Sequence, residues 1–302
     1  MASGVGHARD AGARGYPQAS PMNSSTALPP ADPSPSLRVI RPVRRRVRLG
    51  ELWRTRRVAQ MIGQRDVKVK YKQAALGPLW LLIAPLGMLV AITIAFSGVT
   101  DVDTGGVPYV VFALVGLVVW NYLQLSLLVG AQAIVGNNTL VRRSGMPRLA
   151  LVTGALLGNL PPLLVTLAAT ILLAAILHGL PVQVVLVPLL LVWLLVLVAS
   201  LALLVSAVTT RFRDVMSVMP LLVQAGLFVT PVGYPIAGAP ENIKLLLSLN
   251  PVSGLIEAWR WAVVDIAPDA TVLAIGAVWT VVLMVAGWYV FTRLEVNFAD
   301  VV

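Results

Sequence analysis

Six long apolar stretches, with no charged residue in their interiors, dominate this chain between Gln73 and Thr292. They cover residues 79–99, 108–135, 149–177, 182–209, 217–233 and 271–291. A helix needs at least about 17 mostly apolar residues to cross the hydrocarbon core of a bilayer, and all six stretches reach that length. The sequence therefore predicts an all-α membrane protein with six transmembrane helices.

Positive charge lies almost wholly on one side of these stretches. Of the 23 Lys and Arg residues, 15 precede residue 73 and six follow the even-numbered stretches, which leaves only Lys244 and Arg260. Because cytoplasmic loops carry the excess of Lys and Arg, the pattern predicts an inner-membrane protein with both termini in the cytoplasm. The net charge of +10 is better explained by contact with anionic lipid than by nucleic acid, which we do not expect as a partner.

Three regions depart from the plain six-helix pattern. Residues 1–40 are rich in Ala, Gly, Pro and Ser, which predicts a disordered cytoplasmic tail ahead of a membrane domain at 41–302. Residues 50–64 carry Trp53 among several arginines, which is typical of a helix lying at the headgroup level. Between spans 5 and 6, residues 234–269 hold four prolines and two short apolar pieces, which predicts broken, re-entrant helices.

The chemistry that the chain lacks narrows its function. No phosphate-cradling G-x-x-x-x-G-K-[S/T] motif and no H-E-x-x-H or G-x-S-x-G motif occurs in the sequence. The six spans carry no acidic residue or histidine for a proton relay or for intramembrane catalysis. We therefore expect no enzyme activity, metal or cofactor in this chain, and a carrier of this kind would take its energy from a partner.

Five segments resemble one family of transport proteins. They are RDVKVKYKQAALGPLW at 65–80, LVRRSGMPRLALV at 140–152, RFRDVMSVMPLLVQAGLFVTPVGYP at 211–235, NPVSGLIEAWRWAVV at 250–264 and FADVV at the end. In order and spacing they resemble the type-2 ABC exporter permeases that export cell-surface polysaccharides. Ala74 and Ala75 replace the small polar pair that is usual in the first segment, and residues before about 45 lie outside the resemblance.

The resemblance implies a half-transporter. Two permeases would pair as a homodimer, and each would couple to a separate ATPase subunit that binds ATP and Mg. The implied cargo is a polysaccharide on a polyprenyl diphosphate lipid, as in exporters of O-antigen, teichoic acid or cell-wall galactan. The Ala-, Val- and Arg-rich composition favours galactan.

The resemblance and the residue chemistry together give three sets of candidate site residues. The ATPase-coupling set is Arg142, Arg143, Gly145, Met146, Pro147, Arg148, Arg211, Arg213 and Asp214. The set expected where the cargo diphosphate enters is Trp53, Arg54, Arg57, Lys68, Lys70 and Lys72, because cationic side chains bind phosphate oxygens. The cargo-path set is Phe96, Trp120, Tyr122, Phe228, Tyr234, Trp259 and Trp261, because aromatic rings stack on sugars.

Simpler explanations exist for each set. The arginines of the loops are also what the positive-inside rule requires, and the lysines could simply extend toward lipid headgroups. Trp120 and Tyr122 fall near the middle of span 2, where they either pack between helices or face a lumen. For the whole chain, the alternatives are an exporter of a drug or small lipid, a membrane enzyme, and an assembly subunit without a conduction path.

Overall fold

Helices form the whole architecture wherever the structure describes the chain. The computed structural model describes residues 49–72, 79–97, 103–137 and 146–295, and no strand occurs within these ranges. The α-helices are α1 (Leu49–Lys72), α2 (Trp80–Ser97), α3 (Tyr109–Gln132), α4 (Arg148–Gly158), α5 (Leu160–Leu177), α6 (Val187–Arg211), α7 (Val215–Val229), α8 (Glu241–Leu249), α9 (Ser253–Val264) and α10 (Ala270–Glu295). Short 3₁₀ turns occupy Val135–Asn137 and Val182–Leu186. The predicted tail at 1–40 and the closing segment at 298–302 lie outside the described residues.

Several helices have the length and apolarity of membrane spans. Within the described ranges, four stretches qualify by length and composition: Tyr109–Gln132, Arg148–Leu177, Val182–Arg211 and Ala270–Leu294. The helices α2 and α7 are equally apolar but have only 18 and 15 residues. The prediction of several apolar helices is therefore confirmed, whereas a total of six crossings stays a prediction.

Proline decides two points at which the helices differ from the predicted spans. Span 5 was predicted to run to residue 233, but α7 ends at Val229, because Pro231 forces Thr230 out of the helical conformation (φ −108°, ψ 135°). The stretch 149–177 was predicted as one helix, but it breaks at Asn159 into α4 and α5. Pro161 and Pro162 have no N–H to donate to the carbonyls of the preceding turn, so α5 begins anew there.

The core is built around α3. This helix packs against α2, α5, α6, α7 and α9, and its side chains from Val111 to Trp120 are all buried. Apart from α3, α10 packs along α6 and α1 packs along α4. An apolar helix surrounded by other helices is buried on all sides, which explains why α3 has almost no polar face.

The irregular region between the last two apolar helices contains the two short helices that the sequence predicts. They are α8 and α9, of 9 and 12 residues. The helix α9 ends at Asp265, whose left-handed conformation (φ 57°) turns the chain toward α10. The prediction of two broken helices here is confirmed, and their depth in the membrane stays a prediction.

Candidate functional site

The helix α1 docks onto α4 through small side chains. The face of α1 that carries Thr55, Ala59, Ile62 and Gly63 is buried. A Cβ added to Gly63 would lie 3.0 Å from the carbonyl oxygen of Gly154 and 3.1 Å from the amide nitrogen of Gly158. The Gly154/Gly158 pair, at the GxxxG spacing, thus brings two helix backbones into close approach, and its partner is α1 rather than another membrane span.

The residues predicted to couple to the ATPase include the start of α4, the helix that α1 contacts. Pro147 caps α4, and its carbonyl accepts a hydrogen bond from the N–H of Ala150 at 2.9 Å. Met146, Pro147 and Arg148 are half-buried at the start of α4. Arg142, Arg143 and Gly145 lie outside the described residues. Any displacement of the segment that ends at Pro147 would reach α4 and, through it, α1.

The second group of coupling candidates lies at the turn between α6 and α7. Arg211 closes the last turn of α6, and Arg213 and Asp214 follow it. All three side chains are exposed. They are accessible to a partner protein, and their role in coupling stays a prediction.

The three lysines before the first span do not point the same way. Because α1 continues as one helix to Lys72, Lys68 and Lys72 lie one turn apart and share a groove, whereas Lys70 lies about half a turn away. Lys70 instead lines a separate cavity. The structure therefore divides this part of the predicted diphosphate set between two faces of α1.

The remaining members of that set lie on the outer surface of α1. The side chain of Trp53 is 72% exposed, and the guanidinium of Arg56 lies 3.6 Å from the centre of its ring. Arg54 and Arg57 are exposed as well. An exposed Trp beside several arginines suits the membrane–water interface.

A cavity of about 550 Å³ lies between α2, α3 and α5. Lys70 and Trp80 line it together with Tyr122 of α3 and Asn159 at the break between α4 and α5. The side chain of Lys70 is exposed along part of its length, but partial burial of its ammonium end removes water from the charge and lowers its pKa below the ordinary value. The side chain of Tyr122 is 3% exposed and packs between helices, and it also lines this cavity. Its assignment to a cargo lumen stays a prediction.

Two of the other aromatic candidates are buried within the single chain. Trp120 and Trp259 are buried in the core, and the ring of Trp120 packs against Gly226 of α7. Phe228 is 61% exposed on α7, and Trp261 is half-buried. Phe96 falls in the last turn of α2, and its side chain lies outside the described residues. Their assignment to a cargo path stays a prediction.

One buried cation organises the segment after α7. Arg260 of α9 is 2% exposed, and its guanidinium donates to the carbonyls of Pro231 at 2.8 Å and Val232 at 2.7 Å, with a longer contact of 3.4 Å to Tyr234. It also lies 3.7 Å from the centre of the Phe112 ring. A buried charge is tolerated when hydrogen bonds surround it, and these bonds hold an irregular backbone that no helix supports.

Other side chains complete this set of hydrogen bonds. The hydroxyl of Tyr109 donates to the carbonyl of Gly233 at 2.9 Å, and that of Tyr234 donates to the carbonyl of Phe228 at 2.7 Å. The amide of Asn250 donates to the carbonyl of Val229 at 3.2 Å. The carbonyl of Thr230 accepts from the N–H of Val232, so every carbonyl from residue 228 to 234 has a donor. Tyr234, a candidate for stacking on sugar, caps the end of α7 in this structure.

Two carboxylates connect α9 to the start of α10. Glu257 accepts a hydrogen bond from the N–H of Asp269 at 3.0 Å, and Asp269 accepts one from the N–H of Thr271 at 2.7 Å. The latter bond holds the pKa of Asp269 below its ordinary value, because it stabilises the ionised form.

The comparisons with known proteins agree with this architecture. The sequence profile of a family described as "ABC-2 type transporter" matches residues 57–264. The chain belongs to the ABC-2 type transporter family. As a member of that family with several long apolar helices, it is a multi-pass membrane protein.

Curated relatives of this ABC-2 type protein carry one name. The chain is 27% identical to the O-antigen export system permease protein RfbA of Myxococcus xanthus over 254 residues, which are 83% of this chain and 97% of that protein. It is 22% identical to a protein of the same name from Klebsiella pneumoniae over 244 residues, 80% of this chain and 93% of that protein. The resemblance stated from the sequence motifs is thus confirmed at the level of the family.

Two structural features within the matched residues 57–264 have no role in the predictions from the sequence. Arg260 is an exception to the charge asymmetry and lies in the motif at 250–264, but the sequence analysis gives it no role. A cation within an apolar stretch is itself a signal for a buried, functional or structural role. The amide side chains around the cavity, such as Asn121 and Asn159, were not singled out. The sequence does contain a signal for them, because each is an Asn within an otherwise apolar stretch.

Proposed function

We propose that this chain is the permease subunit of an ATP-driven exporter that moves a polysaccharide on a polyprenyl diphosphate lipid across the inner membrane. The observation that carries this proposal is the match to O-antigen export permeases over four fifths of the chain and nearly all of each relative. A relationship that spans the whole membrane domain supports a shared type of transport more strongly than a single motif does.

The partner in this proposal is a separate ATPase that docks against the cytoplasmic side. The segment that ends at Pro147 leads into α4, and α4 carries α1 on its surface. This arrangement offers a route by which ATP hydrolysis would move the helix with the basic residues. Two copies of the permease and two of the ATPase would form the exporter, with both permease termini in the cytoplasm.

The cargo that we propose is cell-wall galactan, and the positive face of α1 supports an anionic carrier lipid. Arg54, Arg57, Lys68 and Lys72 are all exposed there. The concentrated negative charge of a diphosphate is attracted to such a surface more strongly than a neutral lipid is.

Depletion of the protein in its own host tests the proposed function. We expect a polyprenyl-diphosphate polysaccharide to accumulate on the cytoplasmic leaflet, detected by mass spectrometry of extracted lipids, and galactose-rich polymer to disappear from the cell surface. Wild-type protein should reverse both changes. Accumulation of a glycolipid with another sugar would refute galactan alone, whereas unchanged glycolipids would refute polysaccharide export and leave drug or small-lipid export.

Coupling is tested in the same depleted cells. The double variant Arg142→Glu and Arg148→Glu should insert in the membrane at wild-type levels, fail to restore export and lose association with the ATPase on co-purification. Association and export at wild-type levels would show that the ATPase docks elsewhere.

A further inference from the structure

The cavity between α2, α3 and α5 combines apolar walls with amide side chains. The walls come from residues such as Leu81, Pro85 and Met88 of α2 and Leu163 of α5. The polar side chains include three carboxamides, those of Asn121, Gln124 and Asn159. Its volume of about 550 Å³ is in the range of ligand sites, and greater than a single water needs.

These carboxamides retain donors that the protein does not use. The side-chain nitrogen of Asn121 is shielded from solvent and has no hydrogen-bond partner among the described residues. Gln124 accepts a bond from the indole N–H of Trp120 at 3.1 Å through its oxygen, and this fixes its NH₂ group as a donor. Asn159 is 4% exposed and reaches only Ser126, at 3.5 Å, which is the outer limit for a hydrogen bond.

Donors in this state are unfavourable unless something binds them. A buried polar group without a partner costs about 1–3 kcal/mol, and an apolar side chain of similar shape at the same place would avoid that cost. At this cavity the shielded nitrogen of Asn121 is such a group. The amides of Gln124 and Asn159 beside it hold further donors, and together they point to a ligand or solvent with several acceptor atoms.

Lys70 adds a positive charge to the same cavity. It is the one lysine of its group that lines this space, since Lys68 and Lys72 line the groove on another face of α1. A cation and amide donors next to apolar walls fit an anion that carries many acceptor oxygens on a hydrocarbon chain. Low polarity around the site strengthens the attraction between the ammonium and such an anion.

We propose that this cavity binds the phosphate end of a lipid phosphate or diphosphate, with Lys70 and the amides of Asn121, Gln124 and Asn159 as its ligands. The lipid chain lies along the apolar walls formed by α2 and α5. This deepens the proposed function, on which it rests, because it gives the carrier phosphate of the cargo a binding site between helices, next to the exposed basic face of α1 that attracts it.

This site is tested by binding of a photoreactive farnesyl diphosphate to the complete permease–ATPase complex in nanodiscs of neutral lipid. Photoreactive farnesol is the uncharged control compound. The diphosphate should label peptides of α2 or α3 and should bind at least about tenfold more tightly than the alcohol, since hydrogen bonds to charged groups are strong. Lys70→Gln and Asn121→Leu should each weaken diphosphate binding about tenfold and leave binding of the alcohol unchanged.

Thermal stability without ligand separates binding from a structural role. Asn121→Leu should leave the Tm of the unliganded complex equal or higher, because it removes an unpartnered buried amide. Asn242→Leu, which replaces an exposed amide on α8, is the matched control and should change neither Tm nor binding. If Asn121→Leu does not fold, Asn121→Ala gives the same test. Unchanged diphosphate affinity in the folded variant, or labelling confined to the groove of Lys68 and Lys72, would overturn the proposal.

Competition identifies the source of the phosphate. Displacement of the probe by undecaprenyl diphosphate but not by phosphatidic acid supports the carrier lipid of the cargo, whereas equal displacement by both assigns the site to ordinary membrane lipid and overturns the link to cargo. The depletion experiment distinguishes failure of this binding site from failure of the proposed function. If the complex ignores every diphosphate probe and glycolipid still accumulates on depletion, this site is wrong and the proposed function stands.

Discussion

Positive charge serves opposite purposes at the two ends of this molecule. On α1, the arginine and lysine side chains are exposed and leave their charge accessible to other molecules. On α9, Arg260 is 2% exposed, and its two terminal nitrogens donate to the backbone of the segment that follows α7. The residue types are similar, and burial decides what they do.

The difference teaches where charge is available for function. An exposed cation can exchange partners, and its removal leaves no unsatisfied group behind. A buried cation that satisfies carbonyls cannot be removed without leaving those carbonyls unpaired. We therefore expect loss of fold at Arg260 and loss of binding, without loss of fold, on α1.

Replacement of Arg260 should have the largest effect. Arg260→Leu removes the donors to the carbonyls of Pro231 and Val232, and each unpaired buried carbonyl costs about 1–3 kcal/mol. We expect a total loss of about 3 kcal/mol or more, seen as a lower Tm in detergent and a low yield of monodisperse protein. Arg260→Lys should be intermediate, because one ammonium cannot reproduce the planar fork of donors.

The control for this prediction is Lys244, the other cation on the predicted outer side. The ammonium of Lys244 lies 3.9 Å from the carboxylate of Glu241, whose side chain is 93% exposed. Because an exposed ion pair at this distance contributes little to stability, Lys244→Leu should change the Tm little. Equal stability of Arg260→Leu and Lys244→Leu would remove the distinction between the two kinds of cation.

The contact between α1 and α4 should rank second. Gly63→Leu places a side chain where even a Cβ lies 3.0 Å from the carbonyl oxygen of Gly154, and overpacking of this kind costs about 1–3 kcal/mol. We expect separation of α1 from α4, measured as faster proteolysis within α1, and loss of export in cells. Gly50→Leu is matched to it on the same helix, where a Cβ meets nothing within 4 Å, and it should behave as wild type.

Asp269 tests whether an exposed charge stabilises the fold when it accepts a hydrogen bond from the backbone. Its side chain caps the start of α10 by accepting from the N–H of Thr271, and loss of such a cap costs about 1 kcal/mol. Asp269→Ala should lower the Tm modestly, and Asp269→Asn should retain most of the cap.

The pH dependence of that cap has a definite sign. Because the pKa of Asp269 is lowered in the folded protein, its stabilising contribution is complete above the ordinary pKa of an aspartate and is lost as the pH falls through the lowered value. The Tm difference between wild type and Asp269→Ala should therefore shrink below about pH 4. A difference that is constant from pH 7 to pH 3 would contradict the assignment.

The exposed lysines of α1 should have the smallest effect on stability. We expect Lys68→Gln with Lys72→Gln to change the free energy of unfolding by less than about 0.5 kcal/mol, as is usual for surface positions. The same double variant should weaken binding to vesicles rich in anionic lipid, and the loss should disappear at high salt because salt screens exposed charges. A Tm as low as that of Arg260→Leu would show that these lysines are part of the fold.

Periodicity and charge were sufficient to predict the helices but not their contacts. The apolar stretches predicted α2, α3, α6 and α10 within a few residues of their ends, because an apolar run in lipid has few alternatives to a helix. Pro231 and Pro161 shifted two boundaries, and both signals were present in the sequence. The docking face of α1 was not predicted. Thr55, Ala59 and Gly63 allow the backbones of α1 and α4 to approach closely, but they form no hydrophobic pattern that the sequence would show.

The site was predictable to the extent that it depends on local sequence. The motif at 140–152 predicts ATPase coupling by the residues that lead into α4, and that role stays a prediction. The turn with Arg211 and Arg213 is exposed in the structure. The division of Lys68, Lys70 and Lys72 between two faces depends on how far α1 continues, which no motif specifies. The partners of Arg260 and the amides around the cavity come together only in the folded chain.

The shortness of α7 has a mechanical consequence. A helix of 15 residues rises about 22 Å, whereas the hydrocarbon layer is about 30 Å thick, so in the proposed topology the segment after Val229 completes the crossing. A regular helix adapts to a thicker bilayer by changing its tilt. The segment 230–234 has no such freedom, because individual side chains hold its carbonyls in place. In the proposed topology the bilayer therefore adapts to the protein at this point, and we expect export to fall in membranes that are much thicker or thinner than its native one.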